Sequence, residues 1–331
     1  MIIELEPQTR TEGIGASDAA GILGLDDWNP PIRVWRRLRG EALPDTSGEA
    51  AEWGQILEPV VLGRYAVKTQ SLVLQPITSW VHRDHEWLHA TPDGVIAEQG
   101  PTVIPRVNSD ILANRVPFAL ANGAGLVQAK TASAYLAHEW ADGKAPRKYV
   151  VQVQVEMAVT GAPWCDLAVL IGGNDFRVVR VESNREQQDA IIKALATFHS
   201  MVRDGIEPAP DGSDAHRQYA ISKMAASDAV LRGRADLDAY AERWRAIRNE
   251  QERLKAEAEA IKTRLLLELS AAGATKLETP SGVIAAYKRA GGSAWKEAAA
   301  GYAKRLGEEP RAAQGAPTWT IRAPRAWGGD E

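Results

Sequence analysis

Apolar residues recur along this chain at two spacings, and the spacings divide it into elements. Over 47–69, Trp53, Ile56, Leu57, Val60, Val61 and Tyr65 fall at helical steps and predict a long helix with that stripe turned inward. A shorter helix is predicted after Asn29-Pro30-Pro31, with Val34, Trp35 and Leu38 inward and Arg33, Arg36, Arg37 and Arg39 outward. Between 71 and 96 the pattern changes to short runs at 72–74, 79–82, 87–89 and 94–96, which read as strands. An insert at 97–124, with Pro101, Pro105, Asn108, Asn114, Pro117 and Gly123, reads as a surface hairpin or loop. Helices are predicted at 132–141, 147–160 and 185–203, with strands at 164–171 and 176–181 around the turn Gly172-Gly173-Asn174-Asp175.

Helix 147–160 carries an apolar stripe, Val151, Val155, Ala158 and Val159. At 100° per residue Tyr149, Gln152 and Glu156 cluster on an adjacent face within about 60° of one another, and Gln154 falls away from them. Pro208, Pro210, Gly212 and Ser213 mark a linker, dividing a domain at 1–210 from an extension at 211–331. In that extension Leu237, Tyr240, Trp244, Ile247, Leu254, Ala258, Ile261 and Leu265 alternate in steps of three and four, with Gln251 as a polar member of the seam. The seam fits an intramolecular helical hairpin or an arm for oligomerisation or partner docking. Runs at 275–278 and 283–288, joined by Thr279-Pro280-Ser281-Gly282, read as a β-hairpin, and the tail from Glu308 reads as irregular.

Composition narrows the class. The 331 residues are 45% hydrophobic, enough for a sizeable core. A net charge of −4 neither demands nor excludes nucleic acid, because a local basic channel can sit on an acidic protein. The single cysteine, Cys165, rules out a disulfide scaffold and a cysteine zinc cluster. No apolar run approaches the ~20 residues that span a bilayer, and the start M-I-I-E-L-E-P has no signal-peptide pattern. A soluble cytoplasmic protein with no membrane partner is expected.

The chemistry concentrates between 87 and 131. Asp93 sits in a T-P-D-G turn after an apolar run, and Gln128 and Lys130 lie one residue apart after Leu126-Val127. Side chains two apart on a strand share a face, so Gln128 and Lys130 project together and Ala129 turns away. An acid on one strand end facing an oxygen ligand and an ammonium suits a hydrated Mg²⁺ held against a phosphate. The alternative is a turn aspartate beside an exposed strand-end lysine.

Near the N-terminus, Gly13 and Gly15 allow a tight backbone turn, Ser17 or Asp18 can cap a short helix at 19–23, and Arg10 can offer a guanidinium fork to an anion. Glu58, an inward carboxylate between apolar neighbours, is either paired or close to a metal. His82 and His85 form either a metal pair or a surface pair. The arginines of the second helix either track a DNA backbone or form a solvated face.

Taken together, five ordered blocks carry a resemblance: G-I-G-A-S-D-A-A-G-I-L-G (13–24), G-Q-I-L-E-P (54–59) followed by Tyr65, T-P-D-G (91–94), Q-A-K-T (128–131) and Y-V-V-Q-V-Q-V-E-M-A-V-T-G (149–161). From about Arg10 to Ile206 the chain resembles the lambda exonuclease / YqaJ-like viral recombinase family, within the PD-(D/E)xK nuclease superfamily. The implied fold is α/β: a restriction-endonuclease-like core with a mixed central sheet flanked by helices, to which this chain adds a C-terminal coiled-coil helix and a small β-hairpin.

Carried over by position, the resemblance implies that Asp93, Gln128 and the Ala129 carbonyl bind one or two Mg²⁺ ions, with Mn²⁺ as an alternative. Lys130 acts on the attacking water or the phosphate charge, Gln152 positions water and lysine beside Tyr149, and Glu58 lies near the metals. Arg10, Ser17 and Thr91 match a 5′-phosphate pocket. The activity implied is 5′→3′ digestion of double-stranded DNA ends by a phage or prophage protein in a bacterial host, feeding a single-strand annealing partner, in a homo-oligomer that in lambda-like members is a trimer. The departure is Gln128, where the family pattern has Glu. Either the Q-A-K form is active, as in some branches of the superfamily, or Gln128 weakens the centre. Two further readings therefore stand beside the exonuclease: a phage-related endonuclease, and a DNA-binding or recruitment protein with a weakened nuclease centre.

Overall fold

A computed structural model describes residues 13–41, 48–76, 79–104, 116, 119–224, 231, 234–280, 282–289 and 318–322. The chain forms two compact units, Met1–Ala226 and Ser227–Glu331. The first is built on a six-stranded mixed sheet. Its strands are β2 (Ser71–Leu74), β5 (Gly94–Gln99), β6 (Thr102–Ile104), β7 (Gly125–Ala132), β8 (Trp164–Ile171) and β9 (Asp175–Glu182), in the order β6-β2-β5-β7-β8-β9. The two central strands, β7 and β8, run parallel, with Gln128 opposite Leu167 and Lys130 opposite Val169. Their crossover contains a 3₁₀ segment, Ala134–Gly143, which replaces the α-helix predicted at 132–141, and then helix α4 (Arg147–Thr160).

Strand alternation sends β8 side chains to two cores. Cys165, Leu167 and Val169 pack with Val95, Leu126, Val153 and Met157 on the α4 side. Ala168 packs with Val73, Val127, Leu62 and Tyr65 on the side of α3 (Glu49–Thr69). The second half of helix α3 supplies its buried residues, Val61, Leu62, Tyr65 and Ala66. Trp53, Ile56 and Val60, predicted inward, are 53%, 52% and 57% exposed. They precede Val61, the first buried residue of the helix.

A second layer covers the outer side of α4. Strands β1 (Ile14–Gly15), β3 (Trp80–His82) and β4 (His85–Ala90) form a small sheet in the order β1-β4-β3. It packs with α1 (Ala19–Ile22), α2 (Pro31–Leu38), α5 (Arg185–Asp204) and α6 (Asp214–Ser222) around Ile14, Trp35, Leu88, Val155, Phe198 and Tyr219. Helix α4 therefore runs between two cores, and every residue from Gln152 to Met157 is buried. Tyr219 on α6 sits edge-on to Trp35, so α6 belongs to the first unit, and the division of the chain follows this helix instead of preceding it near residue 210.

The basic face of α2 is partly engaged within the fold, while Arg39 on it is exposed. Arg37 pairs with Asp18 at 2.6 Å, Arg36 pairs with Glu41 at 2.7 Å and lies over Tyr219, and Arg39 donates to the Val202 carbonyl.

In the second unit the heptad pattern forms one 37-residue helix, α7 (Ala235–Ala271). Its seam residues Leu237, Tyr240, Trp244, Ile247, Leu254 and Ile261 are exposed, and among the described residues no second helix pairs with it. The predicted hairpin is present as β10 (Lys276–Thr279) and β11 (Gly282–Arg289). It gains a third strand from the tail, β12 (Thr318–Arg322), antiparallel to β11, where the sequence reads as irregular. Thr318-Trp319-Thr320-Ile321 carries the β-branched and aromatic signal, close to Pro317 and Pro324. Among the described residues no helix is long and apolar enough to cross a membrane.

Candidate metal centre

The turn before β5 and the strand β7 lock Asp93 in place. Gly94 begins β5, and a β-carbon there would stand 2.6 Å from Val73 Cγ1 and 2.8 Å from Val127 Cγ1, so only glycine lets the strands close at that point. With Gly94 against the α3 core and Val95 in the α4 core, alternation turns Asp93 towards α4. Its Oδ2 accepts from the Ala129 N–H at 2.8 Å, and its own N–H donates to Gln128 Oε1 at 3.4 Å. Both side chains are buried. Gln128 follows Leu126 on the α4 face and Lys130 shares it, while the Ala129 side chain packs with the α3 core.

Helix α4 closes the centre from above. The Tyr149 ring stacks on Trp140 and receives two ammonium groups, Lys130 Nζ at 5.1 Å and Lys148 Nζ at 5.2 Å from its centroid. One turn on, Gln152 Nε2 donates to Glu156 Oε1 at 2.8 Å. Glu156 is 1% exposed. Burial, then the Asp93 carboxylate, push its carboxyl up to about 8, against the opposing pull of Lys130 and the Gln152 amide. Gln154 points elsewhere: it donates to the Glu182 carbonyl and accepts from the Asn184 N–H, tying α4 to the start of α5.

The structure thus gathers Asp93, Gln128, Ala129, Lys130, Tyr149 and Gln152. Ser17 and Thr91 are placed by the small sheet. Strands β1 and β4 run parallel with Gly15 opposite His89, so Ser17 and Thr91, each two residues further on, leave the same end of the small sheet. Both are exposed, and Thr91 Oγ1 shares a hydrogen bond with Ser79 Oγ at 2.6 Å. Asp18 does not cap α1; its Oδ2 accepts from the Gly15 N–H and holds Arg37, which fixes the glycine turn. Arg10 lies outside the described residues.

Glu58 is half-buried on α3, the helix of the opposite face, one turn beyond Gly54, where a β-carbon would stand 3.6 Å from Thr131 Oγ1. His82 and His85 stack on each other at 4.8 Å, and the row of rings continues through Trp87 to His199. Glu156 is the residue that sequence reasoning leaves out of the centre. Its spacing from Gln152 and Tyr149 is visible in the sequence, but its burial is not.

The donors available here are hard oxygens: the Asp93 carboxylate, the Gln128 amide and the Ala129 carbonyl. This set suits Mg²⁺ or Mn²⁺. An observation favours the fit: Glu156 Oε2 is buried with no hydrogen-bond partner. Among the described residues no three His, Cys, Asp or Glu side chains converge as a ligand cluster.

The centre thus lies in a mixed α/β core, with an acid at one strand end, a Gln-x-Lys pair on the neighbouring strand and a glutamine-bearing helix across them. Residues 7–163 match the family model described as YqaJ-like viral recombinase domain. The "Uncharacterized protein YqaJ" of Bacillus subtilis (strain 168) is 30% identical over 223 residues, 66% of this chain and 62% of that protein, so the chain spans less than two thirds of that relative's length. Among solved structures, LHK-Exo in complex with dAMP is 21% identical, covering 65% of this chain and 96% of that chain with a TM-score of 0.45. The alkaline exonuclease (LHK-Exo) from Laribacter hongkongensis is 19% identical with the same coverage and a TM-score of 0.43. A phage related exonuclease from Haemophilus somnus 129PT is 12% identical, covering 67% and 98%, with a TM-score of 0.36. These three are distant likenesses.

Proposed function

We propose that this chain is a metal-dependent deoxyribonuclease that hydrolyses phosphodiester bonds from the ends of linear double-stranded DNA, in the 5′→3′ direction, to leave a single strand for an annealing partner. The observation that carries the reading is the Asp93–Ala129 hydrogen bond at 2.8 Å, which holds a carboxylate beside the Gln128 and Lys130 face of β7. Asp93, Gln128 and the Ala129 carbonyl would hold Mg²⁺ or Mn²⁺, as one or two ions. The bound ion supplies Lewis acidity and lowers the pKa of water.

The chain's own residues do the rest. Lys130, held over the Tyr149 ring, presents an ammonium to the phosphate, while Lys148 on the same ring is paired with Asp26 at 3.8 Å. Gln152 is fixed by Glu156 and offers its amide for orienting water. Glu58, on α3 across the sheet, would lie near the metals by the family resemblance alone. By the family resemblance Ser17, Thr91 and Arg10 would serve the terminal 5′ phosphate, which would give the enzyme its preference for ends. A closed homo-oligomer, a trimer in the lambda-like arrangement, would let DNA pass through a channel.

Lys130→Ala tests the reading. Loss of at least about 100-fold in hydrolysis of linear DNA with Mg²⁺ is expected, measured beside a covalently closed circle and with ends bearing or lacking a 5′ phosphate. Unchanged hydrolysis would remove this centre, and cleavage of the closed circle would favour an endonuclease. Gln128 sustains the remaining reading, a DNA-binding protein with a weakened centre; there, Gln128→Glu would raise activity strongly.

A further inference from the structure

The nuclease reading leaves one buried acid without a role of its own. Glu156 lies on α4 between the faces of Gln152 and Val153, and Val153 and Met157 pack on the sheet that carries Asp93 and Gln128. Its Oε1 is taken by the Gln152 amide and its Oε2 by nothing. Buried polar atoms in folded proteins nearly always find partners, and an unsatisfied one costs about 1–3 kcal/mol. A carboxylate oxygen left idle in a core is a donor to something that the folded chain does not itself supply.

The surroundings say what that is. The groups that act on Glu156 electrostatically are Asp93, which opposes its negative charge, and Lys130, which favours it. A second acid crowded towards Asp93 is unfavourable for the chain alone and favourable once a cation lies between them. Gln128 sharpens the need. With a neutral amide in the second acid's place, a divalent ion at Asp93 would be met by a single negative charge, where hard cations are bound through several carboxylate oxygens.

We propose that Glu156 is the second acid of this metal centre, moved from the strand to the helix, its free Oε2 supplying to a hard divalent cation the charge that Gln128 does not carry. The inference rests on the nuclease reading for the identity of the centre. It adds a ligand on α4, and with it a function for the Gln152–Glu156 pair: the amide holds one carboxylate oxygen so that the other faces the ion.

The test uses the full chain and Mn²⁺ alone, with no DNA, by calorimetric titration at pH 7. Glu156→Gln preserves the shape of a protonated carboxyl. It is expected to weaken Mn²⁺ binding at least about tenfold while urea unfolding in EDTA shows a chain as stable as the wild type or more so. Moving the charge back to the strand in the double variant Glu156→Gln/Gln128→Glu is expected to restore affinity to within about threefold of wild type. The wild-type chain provides a check that needs no substitution: titrations in two buffers of different ionisation enthalpy are expected to show about one proton released per Mn²⁺ bound.

Wild-type affinity in Glu156→Gln, combined with lost binding in Asp93→Asn, would overturn the proposal and leave the nuclease reading standing. Mn²⁺ binding that neither substitution alters would overturn both.

Discussion

Two acids are buried on opposite sides of the same sheet and are treated in opposite ways. Asp166 on β8 faces α3 at 3% exposure, and both of its oxygens are taken. Tyr65 OH donates to Oδ2 at 2.7 Å, and the Arg180 fork reaches Oδ1 at 2.8 Å and Oδ2 at 2.9 Å. Glu156 on α4, at 1% exposure, has one amide on one oxygen. Core chemistry alone would give both acids what Asp166 has, because a buried carboxylate must be paired or protonated. The chain pairs the acid that joins α3, β8 and β9 and leaves the one beside Asp93 underpaired. A charge used for architecture is neutralised within the fold; one meant for a ligand is left for that ligand.

The largest consequence of that difference is in the pH dependence of stability. The Glu156 carboxyl stands at about 8 in the folded chain against an ordinary 4.5. Between those values the folded state holds a proton that the unfolded chain has lost. The associated stability is fully present below about pH 4.5, declines as pH rises, and is gone above about pH 8, for a total of about 5 kcal/mol. The groups facing Glu156 are Asp93 before β5, Lys130 on β7, Gln152 on its own helix and the Cys165 thiol on β8, which burial holds protonated. Glu156→Gln removes this component. Urea unfolding in EDTA at pH 5, 6.5 and 8 is expected to show the variant gaining several kcal/mol on the wild type at the alkaline end and little at pH 5. Parallel profiles for the two chains would mean that Glu156 is as well paired as Asp166.

Asp166 gives the converse result. Asp166→Ala strands the buried Tyr65 hydroxyl, while Arg180, whose side chain is half exposed, recovers part of its hydration. A loss of about 3 kcal/mol in unfolding free energy at pH 7 is expected, with Mn²⁺ affinity unchanged within about twofold. Weakened metal binding in this variant would mean that the α3 face also tunes the centre, and the separation of roles would fail.

How far this contrast can be read from the sequence depends on the range of the interactions. Periodicity alone gives α4 its observed bounds, Arg147–Thr160, and places Gln128 and Lys130 on one face with Ala129 on the other. The helical wheel also separates Gln152 from Gln154. What it misses depends on partners far along the chain. Arg37 meets Asp18 and Arg39 meets Val202, so a helix face that reads as basic is partly engaged within the fold. Trp53, Ile56 and Val60 have helical spacing, but they fall on an exposed side of α3. Glu156 sits at a legible angle, yet only the second layer, built from β1, β3, β4 and the helices around them, makes α4 an interior helix and its glutamate a buried one.

The smallest effect gives the finest measure of the contrast. Arg180 lies over the Trp164 ring at 3.6 Å while gripping Asp166. Trp164 in turn covers Gly125, where a β-carbon would come within 2.3 Å of the ring. Lysine at 180 keeps the charge but loses both the planar fork and the stacking surface. Because the arginine is half exposed, the expected cost of Arg180→Lys is modest, about 1 kcal/mol in urea unfolding at pH 7. A double-mutant cycle with Asp166→Asn should return most of that as coupling, since the two groups are in direct contact at 2.8 Å. The matching cycle between Lys130→Ala and Glu156→Gln, in EDTA at the same pH, should return about 0.5 kcal/mol or less, because a carboxyl displaced to about 8 is largely protonated there and offers Lys130 little charge. Equal couplings in the two cycles would show Glu156 ionised and partnered without metal, which the free Oε2 argues against.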